Sequence, residues 1–370
     1  MTAETLSRRA LNRATLARQL LLRRADLPVL GAVEHLVGLQ AQVPLDPYTA
    51  LWSRLDGFRP GALADLLVER RVVRTVVMRG TIHLVSADDC LLLRPLVQPV
   101  LDAELVRHRD YAPPLRELDL EPVLEFARAV LAEPRTGPEL RAALGERFPR
   151  HDGAALAYAC RCLLPLVQVP PRGVWGRTAA VTTTTAESWL GRPLVEQPSL
   201  DEVVLRYLAA FGPAAVADIG TWSRLTGLRE VVERLRPRLR TFRDERGREL
   251  FDLPDAPRPD PATPAPPRFL PEYDNVLLSH ADRSRFVAPE ERASRGLAGR
   301  VQGAVLHDGF GWGVWRLERD RESGAATLVI GHLRRATKRA TESVAAEGRR
   351  LLRFLAPEAE SHDVRFAGDS

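Results

Sequence analysis

The sequence predicts an α+β fold of three tandem winged-helix units followed by a C-terminal β-rich, small barrel-like module. Three observations lead there. Short amphipathic helices come in groups that each close on a β-branched hairpin, and that grouping recurs three times before residue 254. A proline-dense stretch then gives way to alternating, glycine-punctuated strands. With 370 residues and 45% hydrophobic content, the chain has enough apolar surface for a large core, and its length favours several modules.

Residues 4–25 carry Leu6, Leu11, Leu16, Leu20 and Leu21 near helical spacing with arginines on the other face, which predicts an amphipathic helix. A second helix is expected over 28–39, and others over 48–55 and 61–69. The run VVRTVVMRGTIHLV at 72–85 is β-branched and alternating, with Arg79-Gly80 supplying a turn, so it reads as a hairpin, the first wing. Ser86 caps the helix that follows, with Asp88 and Asp89 favourable in its first turn. The grammar returns with a helix from Thr136, another over 152–164 and a β-rich run at 167–185 in which Gly173 and Gly176 mark turns. It returns again with helices over 201–211, 214–222 and 228–239 and a short hairpin about Arg246-Gly247. The stretch PDAPRPDPATPAPP at 254–267 is too rich in proline for helix or central strand and reads as a linker or surface strap. Strands are expected over 301–317 and 326–333, then a helix over 336–355 and a last strand over 361–366. The resulting division is 1–115, 116–195 and 196–253 for the three units, 254–268 for the linker and 269–370 for the C-terminal module.

The net charge is +5, and Lys338 is the only lysine among 53 basic residues. Planar guanidinium forks suit phosphate, so this balance points to a nucleic-acid partner, although a GC-rich coding sequence also favours arginine. The first residues lack the apolar core of a signal peptide, and no stretch approaches the ~18 apolar residues of a membrane span. A cytoplasmic protein without membrane contact is therefore expected. Cys90, Cys160 and Cys162 are odd in number and lack a second metal-ligand pair, which argues for reduced thiols and against a disulfide or zinc site.

The common catalytic templates are absent: no G-x-S-x-G, no H-E-x-x-H, no G-x-x-x-x-G-K and no G-x-G-x-x-G between strand and helix. GFGWG at 309–313 reads as a turn between strands, and His280 and Asp282 lack further ligands at useful spacing. Neither a metal nor a cofactor is expected. The first wing offers Arg74, Arg79 and His83 as contacts for DNA; Arg172 and Arg177 stand in the corresponding part of the second unit, and Arg334 and Arg335 in the C-terminal module. The apolar Val73, Val77, Ile82 and Val85 read as the buried face of the hairpin.

Gln40-Ala41-Gln42 is the most unusual local feature. On a continuing helix, positions i and i+2 point roughly 200° apart, so the two amides would not share a site. Pro44 biases the residues before it away from helix, which would unwind the turn and bring both side chains to one cleft.

Landmarks spread along the chain resemble, in order, those of the AlkZ-like winged-helix DNA glycosylases. They are GLQAQ followed by PLDPYTALWSRL, then MRGTIHLVSADD, LPLVQVPPRGVWG, GPAAVADIGTWSRLTGL, FLPEYDNVLLSHADRSR and AVLHDGFGWGVWRLERD. The resemblance implies that Gln40 and Gln42 are the catalytic Gln-Φ-Gln pair, with Ala41 as the aliphatic centre. A related branch has a carboxylate at the second position; the amide here places the chain in the AlkZ-like branch. The implied activity is hydrolysis of bulky N7-alkylguanine adducts or interstrand crosslinks in double-stranded DNA. The setting is DNA repair or self-resistance to a genotoxic natural product, by a monomer in the cytoplasm, associated with the bacterial nucleoid. Two rivals stand beside it. A winged-helix transcriptional regulator would bind DNA without chemistry, but no long heptad run suited to dimerisation is present. A drug-sequestering protein would use Trp52, Trp175, Trp222, Trp312 and Trp315 to stack on a ligand, whereas tryptophans so dispersed usually belong to separate cores.

Overall fold

The protein is described from a computed structural model that covers residues 4–287, 302–333 and 337–367. Fourteen strands within these residues form three sheets. The first comprises β1 (Thr5–Leu6), β8 (Arg240–Asp244) and β9 (Glu249–Asp252), in the order β1-β8-β9. The second contains β2 (Leu39–Gln40), β3 (Val72–Val76), β4 (Ile82–Ser86), β5 (Arg135–Thr136), β6 (Leu166–Gln168) and β7 (Thr182–Thr185), in the order β2-β4-β3-β6-β7-β5. The third runs β10 (Arg268–Leu270), β11 (Gly303–His307), β12 (Phe310–Arg319), β13 (Ala325–His332) and β14 (Ser361–Ala367) in sequence. The α+β class predicted by the sequence is the one observed. The C-terminal sheet is nevertheless open, with β10 and β14 as its edges, so the expectation of a barrel-like closure is corrected.

Local signals placed most elements correctly. Ser86 accepts from the Asp89 amide at the start of helix Ala87–Leu96, and Thr136 and Glu139 complete a reciprocal capping box on helix Gly137–Arg147. The hairpin at 72–86 forms as expected. Gly247, at φ +77°, turns β8 into β9. The last strand pairs parallel to β13, which a tight turn cannot achieve; helix Lys338–Leu355 provides the crossover.

Three differences matter for the site. The first two wings are not separate hairpins: β3 pairs with both β4 and β6, so one sheet runs through residues assigned to different units by sequence. The N-terminal helix spans only Arg8–Arg18, and the residues before it pair in parallel with β8, Thr5 opposite Arg243. The proline-dense stretch carries no regular structure between β9 and β10 but is tied down. Arg9 Nε donates to Pro261 O at 2.7 Å and Arg13 Nε to Thr263 O at 2.7 Å, which lays it across the N-terminal helix as a strap.

The largest apolar core joins the helices between residues 87 and 235, anchored by Tyr207, Phe211 and Trp222. A second packs the helices after residue 28 against Val72 and Leu84, directly beneath β2. A third fills the space between helix Lys338–Leu355 and the C-terminal sheet.

Candidate functional site

The second helix ends earlier than its sequence pattern implies, and this shapes the site. Val29–His35 is helical, then Val37 at φ +53° and Gly38 at φ +87° reverse the chain, and Leu39 and Gln40 enter the sheet as its edge strand. A Cβ at Gly38 would lie 2.7 Å from Val85 Cγ1, so only glycine allows this approach. Gln40 sits opposite His83, and the Ala41 amide donates to Ile82 O at 2.8 Å. The strand ends at Gln40, so Gln40 sits in the sheet edge while Gln42 lies in the bend that follows it, before Pro44. A glycine just past a helical run, which is a common helix stop, was the sequence signal for the early end of the helix.

Gln40 is 8% exposed and held by Arg79, whose Nη2 donates to Gln40 Oε1 at 2.6 Å and to Asn275 Oδ1 at 2.7 Å and lies 3.2 Å from His83 Nε2. Its Nη1 donates to Trp222 O at 3.2 Å. Arg79 was expected at an exposed wing tip against phosphate. The structure turns it back onto Gln40 and Asn275 instead, half-buried, where desolvation, with exposed Arg224 and Arg283 nearby, pushes its pKa down to about 10. His83 is fully buried, and its ring lies between Arg79 and the Thr81 carbonyl, 3.0 Å from Nδ1. Burial first and Arg79 second push it down to about 3. The ring is neutral, donating from Nδ1 and accepting at Nε2.

Gln42, by contrast, is exposed, and its Oε1 meets only a long 3.4 Å donation from the Ile82 amide. Between the two glutamines, Arg74 Nη2 donates to Ala41 O at 2.8 Å. Arg74 is 1% exposed; burial and then Arg172 push it down to about 10. It too lies inside, bracing the motif's backbone rather than reaching outward. Arg172 is half-buried, with Nη1 donating to Ala179 O at 2.9 Å, and Arg177 is exposed. Arg334 and Arg335 lie outside the described residues.

Sequence reasoning gave no role to Asn275, which the loop after β10 delivers to Arg79. That loop is held by Arg54, whose Nη1 and Nη2 donate to Asp274 Oδ2 and Oδ1 at 2.8 and 2.7 Å. Arg224 and Arg283, exposed beside Arg79, were also missed. Asp46, four residues beyond Gln42, is pushed up to about 8 by burial and then by the Glu272 and Asp274 carboxylates. Among the described residues no group of three or more His, Cys, Asp or Glu is arranged to hold a metal, and no helix is long and apolar enough to cross a membrane.

The buried imidazoles give a pH prediction. His83 and His280 both have folded-state values of about 3 against 6.5 for a free ring. Below about pH 6.5 the unfolded chain takes up protons that the folded chain refuses, so their contribution is complete above that pH and is lost progressively toward pH 3. Asp46 acts oppositely: its raised value favours the folded state as pH falls from about 8. The urea midpoint of His83→Gln is therefore expected to fall less steeply than that of the wild type between pH 6.5 and 4. Parallel curves would contradict a neutral His83.

The AlkZ-like family, described as DNA glycosylase AlkZ-like, matches residues 33–354. Among solved structures, a DNA glycosylase AlkZ from Streptomyces sahachiroi superimposes with a TM-score of 0.74 at 23% identity, covering 98% of this chain and 100% of that one. No curated protein matches the sequence. The family match takes in the glutamine strand, the Arg79 hairpin and the Asn275 loop together, and on it the chain belongs to the AlkZ-like DNA glycosylase family, as a hydrolase that acts on DNA.

Proposed function

We propose that the chain is a monofunctional glycosylase that hydrolyses the N-glycosidic bond of bulky N7-alkylated guanines, or of the interstrand crosslinks they form. Its setting would be DNA repair or self-resistance to a genotoxic natural product. The observation that carries this reading is the pairing of a fixed and a more accessible amide two residues apart: Gln40 locked by Arg79, and Gln42 exposed with only a long contact from the Ile82 amide.

Alkylation at N7 makes guanine a cationic leaving group, so no acid is needed to protonate it. When the C1′–N9 bond breaks, its electron pair neutralises the departing base, and the positive charge moves to the sugar as an oxocarbenium-like centre. Water then adds to C1′ and releases a proton. Oriented dipoles suffice for such chemistry. Arg79 occupies Gln40 Oε1 and so fixes the plane of that amide, leaving its nitrogen as the group that donates to the substrate. Gln42 Oε1 is the acceptor that orients the water. A glutamine is no strong base, so unmodified guanine is spared.

Arg74, Arg79 and His83 support the reading as positioning residues. Exposed Arg177, Arg224 and Arg283 and half-buried Arg172 are the proposed phosphate contacts. The division into winged-helix units at 1–115, 116–195 and 196–253, a monomeric state and a cytoplasmic, nucleoid-associated location belong to the same proposal.

The test is base release from duplex DNA carrying one N7-alkylguanine, scored as alkali-labile abasic sites. Wild type should release the base, and a folded Gln40→Ala/Gln42→Ala double variant should lose at least about 100-fold in rate. Equal DNA binding by both with no release from either would favour a non-catalytic winged-helix regulator.

A further inference from the structure

Every phenylalanine, tryptophan and tyrosine of the chain is buried or half-buried except Tyr273, which is 44% exposed. A lone exposed ring needs no explanation in itself; its position here is what matters. Tyr273 stands in the loop after β10, two residues before Asn275. Its backbone is held at φ +61°, in the left-handed region that bulky side chains seldom adopt. The contacts that hold it there belong to the candidate site. Asp274 is gripped by Arg54, and Asn275 accepts from Arg79 and donates to Gly38 O at 3.2 Å. A disfavoured backbone kept in place by its surroundings is found most often at functional positions.

The loop follows the glutamine segment. Asn275 meets that segment at Gly38, and toward its other end Asp46 lies close enough for its charge to act on Tyr273 and Glu272. Gln40 and Gln42 fall between these two contacts along the chain. Leu45, next to Asp46, is 41% exposed. Two large apolar side chains are thus left open on the two segments that meet at Asp46, just past Gln42. The Tyr273 hydroxyl donates to Glu272, so its polar tip is satisfied within the loop and the ring is left for a partner. Asp46, pushed up to about 8 by burial and the neighbouring carboxylates, keeps its proton at neutral pH and sets little charge against an approaching phosphate.

We infer that Tyr273, with Leu45, is a wedge that enters the base stack next to the damaged nucleotide, its ring stacking on the neighbouring base. The inference rests on the proposed glycosylase site and adds how a duplex is opened to it. In stacked DNA the reacting sugar carbon is shielded by its neighbours, and two glutamines have no means of parting them. Apolar side chains inserted between base steps unstack and kink a duplex, and an aromatic face repays part of that cost on any base sequence.

The experiment compares excision of one N7-alkylguanine from a matched duplex and from a short mismatched bubble in the same duplex, where the stack is already open. Tyr273→Asn removes the ring and suits the left-handed backbone, so it should keep at least the wild-type melting temperature. It is expected to lose roughly ten-fold or more in kcat/KM on the matched duplex, the scale of base–aromatic stacking, and to stay within about three-fold of wild type on the bubble. Tyr273→Phe keeps the ring and drops only the bond to Glu272, and should match wild type on both substrates. Adding Leu45→Ala to Tyr273→Asn should deepen the loss on the matched duplex alone. Equal losses on duplex and bubble would place the ring on the lesion itself and overturn the wedge. So would no loss on either, or a loss in Tyr273→Phe as large as in Tyr273→Asn. No release by wild type from either substrate would instead remove the reading on which the wedge rests.

Discussion

Arg79→Ala is expected to lower lesion excision by about 100- to 1,000-fold and to destabilise the fold by about 2–4 kcal/mol. One side chain serves the oxygens of Gln40, Asn275 and Trp222 and faces His83 Nε2, so its removal strands several interior acceptors together. Arg79→Lys should recover little, because an ammonium on a flexible stem does not reproduce the fork that meets two amide oxygens through one nitrogen and a carbonyl through the other. The salt dependence of DNA binding separates this role from a phosphate contact. Loss of a phosphate contact lowers the slope of log K against log salt by about one, whereas Arg79→Ala should leave that slope unchanged while kcat collapses. Arg224→Ala and Arg177→Ala are the variants expected to change the slope.

The second large effect is expected at the Arg54–Asp274 pair, both side chains of which are at most 2% exposed. Asp274→Ala should cost about 3–5 kcal/mol in urea denaturation, because it leaves a buried guanidinium without its counterion. A double variant, Arg54→Met/Asp274→Leu, should lose less than the single one, since it removes both charges. Activity should not follow stability in that series. Asn275 rides on the loop that this pair fixes, so excision by the double variant is expected to stay depressed even where the fold is largely restored. Full recovery of activity together with stability would show that the pair matters only for folding.

The sequence was legible where a local signal decides the outcome. Ser86 and Thr136 cap the helices they were expected to cap, and the 72–86 hairpin turns near Arg79-Gly80. The two glutamines were singled out by their pattern and by the family resemblance. What stayed hidden was decided by contacts far apart in sequence. Nothing near Arg79 announces that it turns back onto the protein, because the acceptors that hold it come from residues 40, 222 and 275. The same holds for Arg74, whose charged fork looks like a surface group until Ala41 O and the loop at Gly173 are laid over it. Helix 28–39 was drawn too long because its apolar spacing continues through Leu36 and Leu39, while the steric demand of Gly38 against Val85 appears only once the sheet exists.

Helix Arg8–Arg18 is synthesised long before the last of the partners it docks on. Asn12 Nδ2 donates to Arg285 O and Gly309 O, Arg18 grips Asp252 with both terminal nitrogens, and Arg13 reaches Asp308, 295 residues away. At synthesis rates of ~5–20 residues per second, the nascent helix waits on the order of 15–60 s for that last contact. During this interval part of its buried face, Leu16 with the Asn12 and Arg13 heads, lacks its native partners, while Leu11 and Arg18 can already meet residues 208–252. Full docking of this helix thus waits until synthesis passes residue 308, and a ribosome stalled before that point holds a product whose helix 8–18 is still incompletely docked and open to chaperones and proteases.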